Sequence, residues 1–385
     1  MSSSLLNPVA AVLLAKTGRT LCYGFLGILL PVYLAERGLD AQGVGLAVTC
    51  TLVGSALLTW AVRRPAERWG ARAALGALAA LSALAAILLL VSDRPWVVVL
   101  AAMIGNVAVG TGETGPFLSI EQVVVARAVP GERRTAVLSV YNLLGYAAGG
   151  LGAAIVGLAA PRALFALFLG VSLVQTLLYA RLPSMAVARA TSVGGASSAL
   201  IRRLAALFAL DSFAGGFVLQ SLVAYFLHER YGLGLEALGQ IFLVAQLVTA
   251  ASLLLAARAA RRFGLLNTMV VSHLVSNVFL IAMAAAPGAW AAVVLLYARQ
   301  LLSQMDVPTR QAYVMAVVED HEREAASTTT TLWRTVAQAV SPTVTGWVMA
   351  SVALGAPFVV GGGLKIVYDL LLWATFKDVK PRELT

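Results

Sequence analysis

The chain of 385 residues is 60% hydrophobic and only 12% charged, and its formal net charge is +10. Soluble globular domains carry about 25% charged residues, so this composition excludes one large soluble fold. The positive charge does not indicate nucleic-acid binding, because it is unevenly distributed. With the amino terminus placed inside, about 18 Lys and Arg residues fall in inner loops and tails and about four in outer loops. This pattern predicts a membrane protein with both termini in the cytoplasm.

Twelve apolar segments follow one another with short connections, each at least about 20 residues long, the length of a membrane-spanning helix. We therefore predict an all-α membrane protein with 12 transmembrane helices. Cys22 and Cys50 fall in separate spans, which gives neither a disulfide framework nor metal-ligand spacing. The predicted spans are 10–35, 43–62, 73–92, 96–126, 135–158, 163–182, 204–228, 238–257, 266–286, 289–318, 326–353 and 356–376.

The fourth predicted span contains the sequence GTGETG at residues 110–115, which has the G-x-G-x-x-G spacing of a dinucleotide-binding loop. Such a loop needs a preceding β-strand and a following soluble helix, whereas both flanks here are apolar membrane segments. As a straight helix the span would be about 46 Å long, against about 30 Å of hydrocarbon. The glycines and Pro116 therefore predict a break or kink in helix 4, which carries Glu113 into the membrane.

A polar stretch rich in Ser, Gly and Ala interrupts the apolar pattern in the middle of the chain. Its composition predicts a flexible cytoplasmic linker over residues 183–203. The linker separates an N-terminal six-helix bundle, residues 1–182, from a C-terminal six-helix bundle, residues 204–385.

The two halves repeat each other in sequence at an offset of about 190 residues. Gly24 of the first span corresponds to Gly216 of the seventh, and the loop ERWGAR at 67–72 corresponds to RRFGLL at 261–266. Internal repeats are typical of secondary transporters, whose substrate site lies between the repeats near the membrane midplane. The repeat therefore predicts two pseudo-symmetric bundles and a transport function.

The loop after the second span reads RRPAERWGAR, residues 63–72, and is similar to the G-x-x-x-D-R-x-G-x-R signature of the major facilitator superfamily. Arg63 replaces the first glycine of that signature and Glu67 replaces the aspartate. With its two six-span halves and inner linker, essentially the whole chain resembles this superfamily. The resemblance implies transport by alternating access, with helices 1, 4, 7 and 10 lining a cavity. It also implies a cytoplasmic latch at the matching residues, Glu67, Arg68, Gly70 and Arg72.

Four charged residues lie inside the spans that the resemblance places around the cavity. Arg19 and Asp211 occupy equivalent positions of helices 1 and 7, and Glu121 and Arg310 occupy equivalent positions of helices 4 and 10. A charge at mid-membrane costs about 2.5–3.5 kcal/mol on insertion scales, so such residues usually find partners inside the bundle. The signs predict the pairs Arg19–Glu121 and Asp211–Arg310, either as static salt bridges or as a moving network coupled to protons.

Further polar residues inside the spans are candidates for the proton and solute sites or simply tie helices together. Glu113 and Arg299 are predicted to lie deeper than the four charges, and Glu113 joins the predicted coupling network. Lys365 and Asp369 are expected to pair with each other along helix 12. His273 lacks a second histidine at ligand spacing, so no metal site is predicted. The other cavity candidates are Gln122, Gln220, Tyr225, Gln304, Asp306, Gln311 and Arg334.

These patterns predict a secondary active transporter, not an enzyme, that moves a small organic solute and couples to protons without a cofactor. It is expected to act as a monomer in the bilayer of a bacterial inner membrane. Family analogy favours export over uptake. The buried arginines favour an anionic or zwitterionic solute, whereas the acids leave a cationic one open. The alternatives are an uptake symporter or facilitator, a receptor that binds solute without moving it, and a membrane-embedded enzyme.

Overall fold

A computed structural model of the chain describes residues 7–108, 115–183, 199–306, 309–310, 313 and 323–377. Every regular element within these ranges is an α-helix. The prediction of an all-α fold is therefore confirmed for the described residues.

The helices are numbered here in chain order over the described residues. Proline occupies the first turn of α1, α4, α5, α7 and α14, where its missing N–H group has no helical partner to lose. The bounds are α1 Pro8–Ala35, α2 Ala41–Ala61, α3 Arg63–Val91, α4 Pro95–Ile104, α5 Pro116–Ala128, α6 Gly131–Ile155, α7 Pro161–Ala180, α8 Ala199–Gly216, α9 Gln220–Tyr231, α10 Leu235–Phe263, α11 Leu265–Ala284, α12 Ala289–Ser303, α13 Arg323–Ser351 and α14 Ala356–Phe376.

Eight helical segments of the described chain are long and apolar enough to cross a membrane, and four shorter apolar helices accompany them. Val91, Leu254 and Trp290 are each 80% exposed, as expected for apolar side chains that face lipid and not water. The chain is therefore an integral multi-pass membrane protein. The number of twelve spans and the cytoplasmic location of both termini stay predictions.

The chain forms two compact units. The first unit is built from α1, most of α2, α3 to α7 and the beginning of α10 up to Gln246. The second unit is built from the first residues of α2, Ala41–Leu46, together with α8, α9, the rest of α10 and α11 to α14. The predicted bundle boundaries at residues 182 and 204 stay a prediction.

Each unit buries its apolar side chains between its own helices. In the first unit α1 packs against α6 and α7, and α3 packs against α7, around a core that includes Leu75 and Phe117. In the second unit α8 packs against α13 and α14, and α11 packs against α12 and α14, around a core that includes Phe208 and Met269. The helices that carry the predicted charges therefore line the interior of their own units.

The glycines at equivalent positions of the two halves serve the same close packing. A Cβ atom added to Gly24 of α1 would lie 2.1 Å from the carbonyl oxygen of Gly149 on α6. A Cβ atom added to Gly216 of α8 would lie 1.5 Å from Oγ of Ser341 on α13. Both glycines thus allow neighbouring helices to approach closely, as small residues do in membrane proteins.

The two loops that repeat each other in sequence contain a glycine with the same backbone conformation. Gly70 has φ 81° and ψ 172° inside α3, and Gly264 has φ 82° and ψ 161° immediately before α11. Positive φ is strained for residues with a Cβ atom, so these turns favour glycine. The conformational match supports the internal repeat inferred from the sequence.

Two predicted spans are divided into shorter helices. The predicted break in helix 4 is confirmed, because α4 ends at Ile104 and α5 begins at Pro116. Residues 109–114, which include most of the GTGETG sequence, lie outside the described residues. The predicted span 204–228 lies within one apolar segment long enough to cross a membrane, Leu200–Tyr231, and its helix is interrupted because α8 ends at Gly216 and α9 begins at Gln220. Two consecutive glycines, Gly215 and Gly216, end α8 there, and glycine is a poor helix former.

Candidate functional site: two buried charge clusters

The first charge cluster, called the N-terminal cluster, is built on an ion pair between α1 and α5. Arg19 of α1 donates from NH1 to Oε1 of Glu121 at 3.1 Å and from NH2 to Oε2 at 2.7 Å. Both side chains are buried, with 1% and 0% exposure. The guanidinium group also lies over the ring of Phe117, 4.3 Å from its centre. Because both arginine nitrogens reach one carboxylate, the pair has the two-point geometry that fixes both side chains.

Two tyrosines complete the hydrogen bonding of the Glu121 carboxylate. Tyr141 of α6 donates its hydroxyl to Oε2 at 2.6 Å, and Tyr179 of α7 donates to Oε1 through a short hydrogen bond. Gln175 donates in turn to the Tyr179 hydroxyl at 2.9 Å. Each carboxylate oxygen therefore accepts two hydrogen bonds, which hold the carboxylate in one position. No spacing between residues predicts these two tyrosines as site residues, although a buried hydroxyl needs a partner.

A further buried cation of α1 also escaped the sequence prediction. Lys16 is 3% exposed and its Nζ atom lies 4.5 Å from the ring centre of Tyr141. It lies near the amino-terminal end of α1, where the sequence alone suggests that a basic residue belongs to the excess of Lys and Arg on the cytoplasmic side. Burial shows instead that Lys16 belongs to the interior of the first unit, beside the N-terminal cluster.

The second charge cluster, called the C-terminal cluster, centres on Asp211 of α8. Arg310 donates from NH1 to Oδ2 of Asp211 at 3.1 Å, and Lys365 of α14 donates from Nζ to Oδ1 at 2.6 Å. The same Arg310 nitrogen lies 2.7 Å from Oδ2 of Asp306, so Arg310 bridges two carboxylates. The predicted contact between Asp211 and Arg310 thus exists, but it is one part of a larger network.

The expected pairing of Lys365 with Asp369 along helix 12 is wrong. Lys365 binds Asp211 of another helix instead. The Oδ1 atom of Asp369 lies 2.8 Å from Nδ1 of His273 on α11. Asn277, one turn after His273, donates to the other oxygen of Asp369 at 3.2 Å. A spacing of four residues allows two side chains to meet, but a long lysine side chain can also bind an acceptor on another helix. His273 is therefore a member of the cluster.

The imidazole of His273 has Asp369 beside its Nδ1 atom, and Lys365 and Asp211 beside its Nε2 atom. Its Nε2 atom is 3.5 Å from Nζ of Lys365 and 3.8 Å from Oδ1 of Asp211. The ring is 4% exposed and packs edge-on against Tyr368. The C-terminal cluster is thus defined as Asp211, His273, Asp306, Arg310, Lys365 and Asp369.

Two other arginines of the second unit lack a carboxylate partner within 4.0 Å in the part of the chain that the structure describes. Arg299 of α12 is 9% exposed, donates from NH1 to Gln300 at 2.9 Å, and has no partner for its Nε atom among the described residues. Arg334 of α13 donates from Nε to the Ser212 hydroxyl at 2.9 Å. Their charge is available for an anion, since guanidinium groups bind carboxylates and phosphates at two points.

The remaining predicted site residues are dispersed. Gln122 on α5 is half-buried, Gln220 and Tyr225 are buried on α9, and Gln304 directly follows α12. Glu113 and Gln311 lie outside the described residues. Of the predicted latch, Gly70 is buried, Glu67 is half-buried, and the side chains of Arg68 and Arg72 are exposed. The functions predicted for all of these residues stay predictions.

A separate ionic group lies at the end of α1 that is opposite Lys16. The carboxylate of Asp93, in the connection between α3 and α4, accepts a hydrogen bond from the Tyr33 hydroxyl at 2.7 Å. Arg37 and Arg162 approach the same carboxylate at 3.6 and 3.7 Å. The hydrogen bond from Tyr33, followed by the charges of the two arginines, lowers the pKa of Asp93 below its usual value. Because Asp93 is exposed, this group contributes little to stability.

Comparison with known proteins adds family information to this geometry. The sequence model of the Major Facilitator Superfamily matches residues 12–339. The chain is 24% identical over 412 residues to an uncharacterized membrane protein of Saccharomyces cerevisiae, and the match covers 94% of this chain and 92% of the yeast protein.

Solved structures of similar fold cover nearly the whole chain. The structure of the nucleoside transporter NupG aligns with a TM-score of 0.75 and 14% identity, over 97% of this chain and 100% of NupG. The structure of a D-xylose-proton symporter aligns with a TM-score of 0.74 and 15% identity, over 98% of this chain and 97% of the symporter. At this level of identity the likeness establishes the fold and leaves the solute open.

Proposed function

Because the chain belongs to the major facilitator superfamily, a family of transporters and not of enzymes, we propose that it is a proton-coupled secondary transporter. It moves a small organic solute across the membrane by alternating access. The direction proposed is export in exchange for protons, on family analogy alone. Uptake by symport or by facilitated diffusion is the alternative, and a receptor that binds solute without moving it is the alternative of another class.

The observation that carries this proposal is the presence of a dense ionic cluster inside each of two units made of membrane-spanning helices. Asp211, Arg310 and Lys365 are all less than 10% exposed, as are Arg19 and Glu121. Buried charge in a membrane protein is costly and usually marks the path of a solute or an ion. Clusters that include carboxylates and a histidine can also exchange protons. The buried charges therefore support ion-coupled transport over a purely structural role.

The unpaired guanidinium groups support an anionic group on the solute. Of the four arginines predicted inside the spans, Arg19 and Arg310 are occupied by carboxylates, whereas the buried Arg299 and the half-buried Arg334 have no carboxylate partner among the described residues. An unpaired cation held away from water is costly unless a ligand neutralises it. We therefore expect Arg299 and Arg334 to favour a carboxylate, phosphate or sulfonate on the solute over a neutral group.

Reconstitution of the purified protein into liposomes tests the transport function. Solutes are offered as matched pairs that differ only in an anionic group: benzoate with benzamide, glucose 6-phosphate with glucose, and adenosine monophosphate with adenosine. We expect flux of at least one anionic member, and we expect an imposed pH gradient to change the rate of that flux. Solute binding without flux would support the receptor alternative and refute the proposal.

A pair of variants tests the choice of solute. Arg299→Gln removes the cation and Arg299→Lys retains it, so we expect the first to weaken binding of the anionic solute more than the second. Each lost charge-assisted hydrogen bond is worth about 1.5–3 kcal/mol, which corresponds to roughly 10- to 150-fold in affinity. Binding that prefers the neutral member of every pair would contradict the anionic assignment and leave the transport function standing.

A further inference from the structure

The geometry around His273 assigns it a neutral imidazole with its proton on Nδ1. An ionised carboxylate can only accept hydrogen bonds, and Asp369 accepts from Asn277 as well as from His273. With an ionised Asp369, the Nδ1 atom donates to that carboxylate and the Nε2 atom keeps its lone pair. The lone pair faces the ammonium group of Lys365, which has only donors, so Nε2 accepts a long contact of 3.5 Å from Lys365. His273 thus holds a proton-accepting nitrogen inside the second unit, which Lys365 occupies only through this long contact.

A proton on Nε2 would change the partners of Lys365 and Asp211. The imidazolium would present a second donor and a positive charge 3.5 Å from Nζ of Lys365, so the two groups would repel each other. Oδ1 of Asp211 lies 3.8 Å from Nε2 and is the acceptor within reach. The same oxygen now accepts from Lys365 at 2.6 Å. Protonated His273 and Lys365 would therefore compete for one carboxylate oxygen.

The charges in direct contact within the C-terminal cluster are unequal in number, and Arg334 adds a further cation next to it. Its members in direct contact include three carboxylates, Asp211, Asp306 and Asp369, against two permanent cations, Arg310 and Lys365. A protonated His273 would make the count equal. Other groups lie on the elements packed around the imidazole: Tyr368 of α14 packs edge-on against the ring, Arg334 of α13 binds Ser212 beside Asp211, and α12 carries the buried Arg299.

We propose that His273 is the proton-binding group of the transport cycle, and that its protonation transfers Asp211 from Lys365 to the imidazolium. This inference rests on the proposed function for its role in transport, but the proton-binding step can be measured without a solute. The exchange loosens the link between α8 and α14 and strengthens the link between α8 and α11. Glu121, which the sequence predicted as a coupling residue, has both oxygens occupied by donors.

Nitrogen NMR of the full chain with ¹⁵N-labelled histidine tests the proton-binding step, because the chain contains only 3 histidines. The variant His273→Asn identifies the His273 signal by its disappearance. We expect this signal to change from the neutral to the charged form when the sample is acidified. A His273 signal that stays in the neutral form on acidification, both in the wild type and in Lys365→Met, would overturn the proposal.

Two variants of the neighbouring charges should have opposite effects on proton binding by His273. At one fixed acidic pH, Lys365→Met removes the competing ammonium group and should increase the charged fraction of the His273 signal, whereas Asp211→Asn removes the acceptor and should decrease it. The signal of His228 on α9 is the internal control and should not move. A charged fraction of His273 that stays unchanged in both variants would also overturn the proposal.

Transport in liposomes then tests the coupling role. His273→Asn retains a donor toward Asp369 but cannot bind a proton, so the pH gradient should no longer change solute flux while solute exchange without a gradient persists. His228→Asn is the matched control and should behave as the wild type. Gradient-dependent flux that persists in His273→Asn would overturn the coupling role and leave the transport function intact. Absence of flux in the wild type would refute the transport function, while the NMR titration would still decide proton binding.

Discussion

Lys365 of α14 places its Nζ atom 2.6 Å from Oδ1 of Asp211 on α8, although Asp369 lies one turn further along its own helix. The ion pair therefore connects two helices instead of stabilising one. Asp211 also accepts a hydrogen bond from Arg310 through its other oxygen, Oδ2. Because three helical segments depend on one carboxylate, its loss should affect the unit more than the loss of either cation.

Replacing Asp211 with Asn removes the acceptor of two buried cations, whereas Lys365→Met leaves Asp211 paired with Arg310. Removing one partner of a buried ion pair costs about 3–5 kcal/mol. We expect Asp211→Asn to lose that amount of unfolding free energy and Lys365→Met to lose less. The measurement is denaturant unfolding of the purified protein in detergent. In the double variant that combines Asp211→Asn with Lys365→Met, the loss of unfolding free energy should be smaller than the sum of the two single losses, because both members of the ion pair are removed. Additive losses would contradict the geometry.

The N-terminal cluster predicts a graded series of losses. Glu121→Gln leaves Arg19 buried without a carboxylate and should cost about 3–5 kcal/mol of unfolding free energy. Tyr141→Phe removes one hydrogen bond to the carboxylate and should cost about 1.5–3 kcal/mol. Tyr146→Phe, also on α6, is the matched control. Its hydroxyl has no hydrogen bond among the described residues, so a loss within about 0.5 kcal/mol is expected. Equal effects of the two tyrosine variants would refute the series.

The close approach of α1 and α6 predicts that a single methyl group is harmful at Gly24. A Cβ atom there would lie 2.1 Å from a backbone oxygen, and backbone cannot move aside as a flexible side chain can. Overpacking costs about 1–3 kcal/mol, so Gly24→Ala should lower the melting temperature. Gly76→Ala on α3 is the control, because its added Cβ atom would meet nothing within 4 Å. Alanine is the better helix former, so that variant should be neutral or slightly stabilising.

The ionic group around Asp93 predicts a dependence of stability on pH. Its pKa in the folded protein is lowered below the usual value, so its ionised form contributes stability above the unfolded value of about 3.9. That contribution should disappear as the pH falls through the lower folded value. Asp93→Asn should therefore melt at a slightly lower temperature than the wild type near neutral pH, and the two curves should converge in acid. Curves that stay parallel down to acidic pH would contradict this assignment.

The sequence was sufficient for the helical architecture and for the partners of two buried charges. Repetition between the halves identified Arg19, Glu121, Asp211 and Arg310, because charges at equivalent positions of apolar spans are rare. The same reasoning matched the two loops that contain Gly70 and Gly264, and the backbone angles of these glycines agree. Periodicity and repetition are properties of the chain itself, so they can be read before the fold is known.

The rest of the site depends on contacts between helices, which spacing along one helix does not encode. The rule that residues four apart meet led to the wrong partner for Lys365, since it ignores acceptors on α8. His273 carried no signal as a single histidine, and its significance comes from Asp369 of α14 and Asp211 of α8. Tyr141 and Tyr179 were indistinguishable in the sequence from other aromatic residues of apolar spans. Only the packing of the first unit brings both tyrosines to the carboxylate of Glu121.

Simultaneous measurement of solute and proton movement in liposomes decides whether the two are linked. The liposomes contain the wild-type protein and an internal pH indicator, and a gradient of the anionic solute found in the paired screen is imposed. We expect solute movement to drive protons across the membrane, so that the internal pH changes with the same time course as solute flux. Solute movement with no accompanying change of internal pH would contradict this expectation.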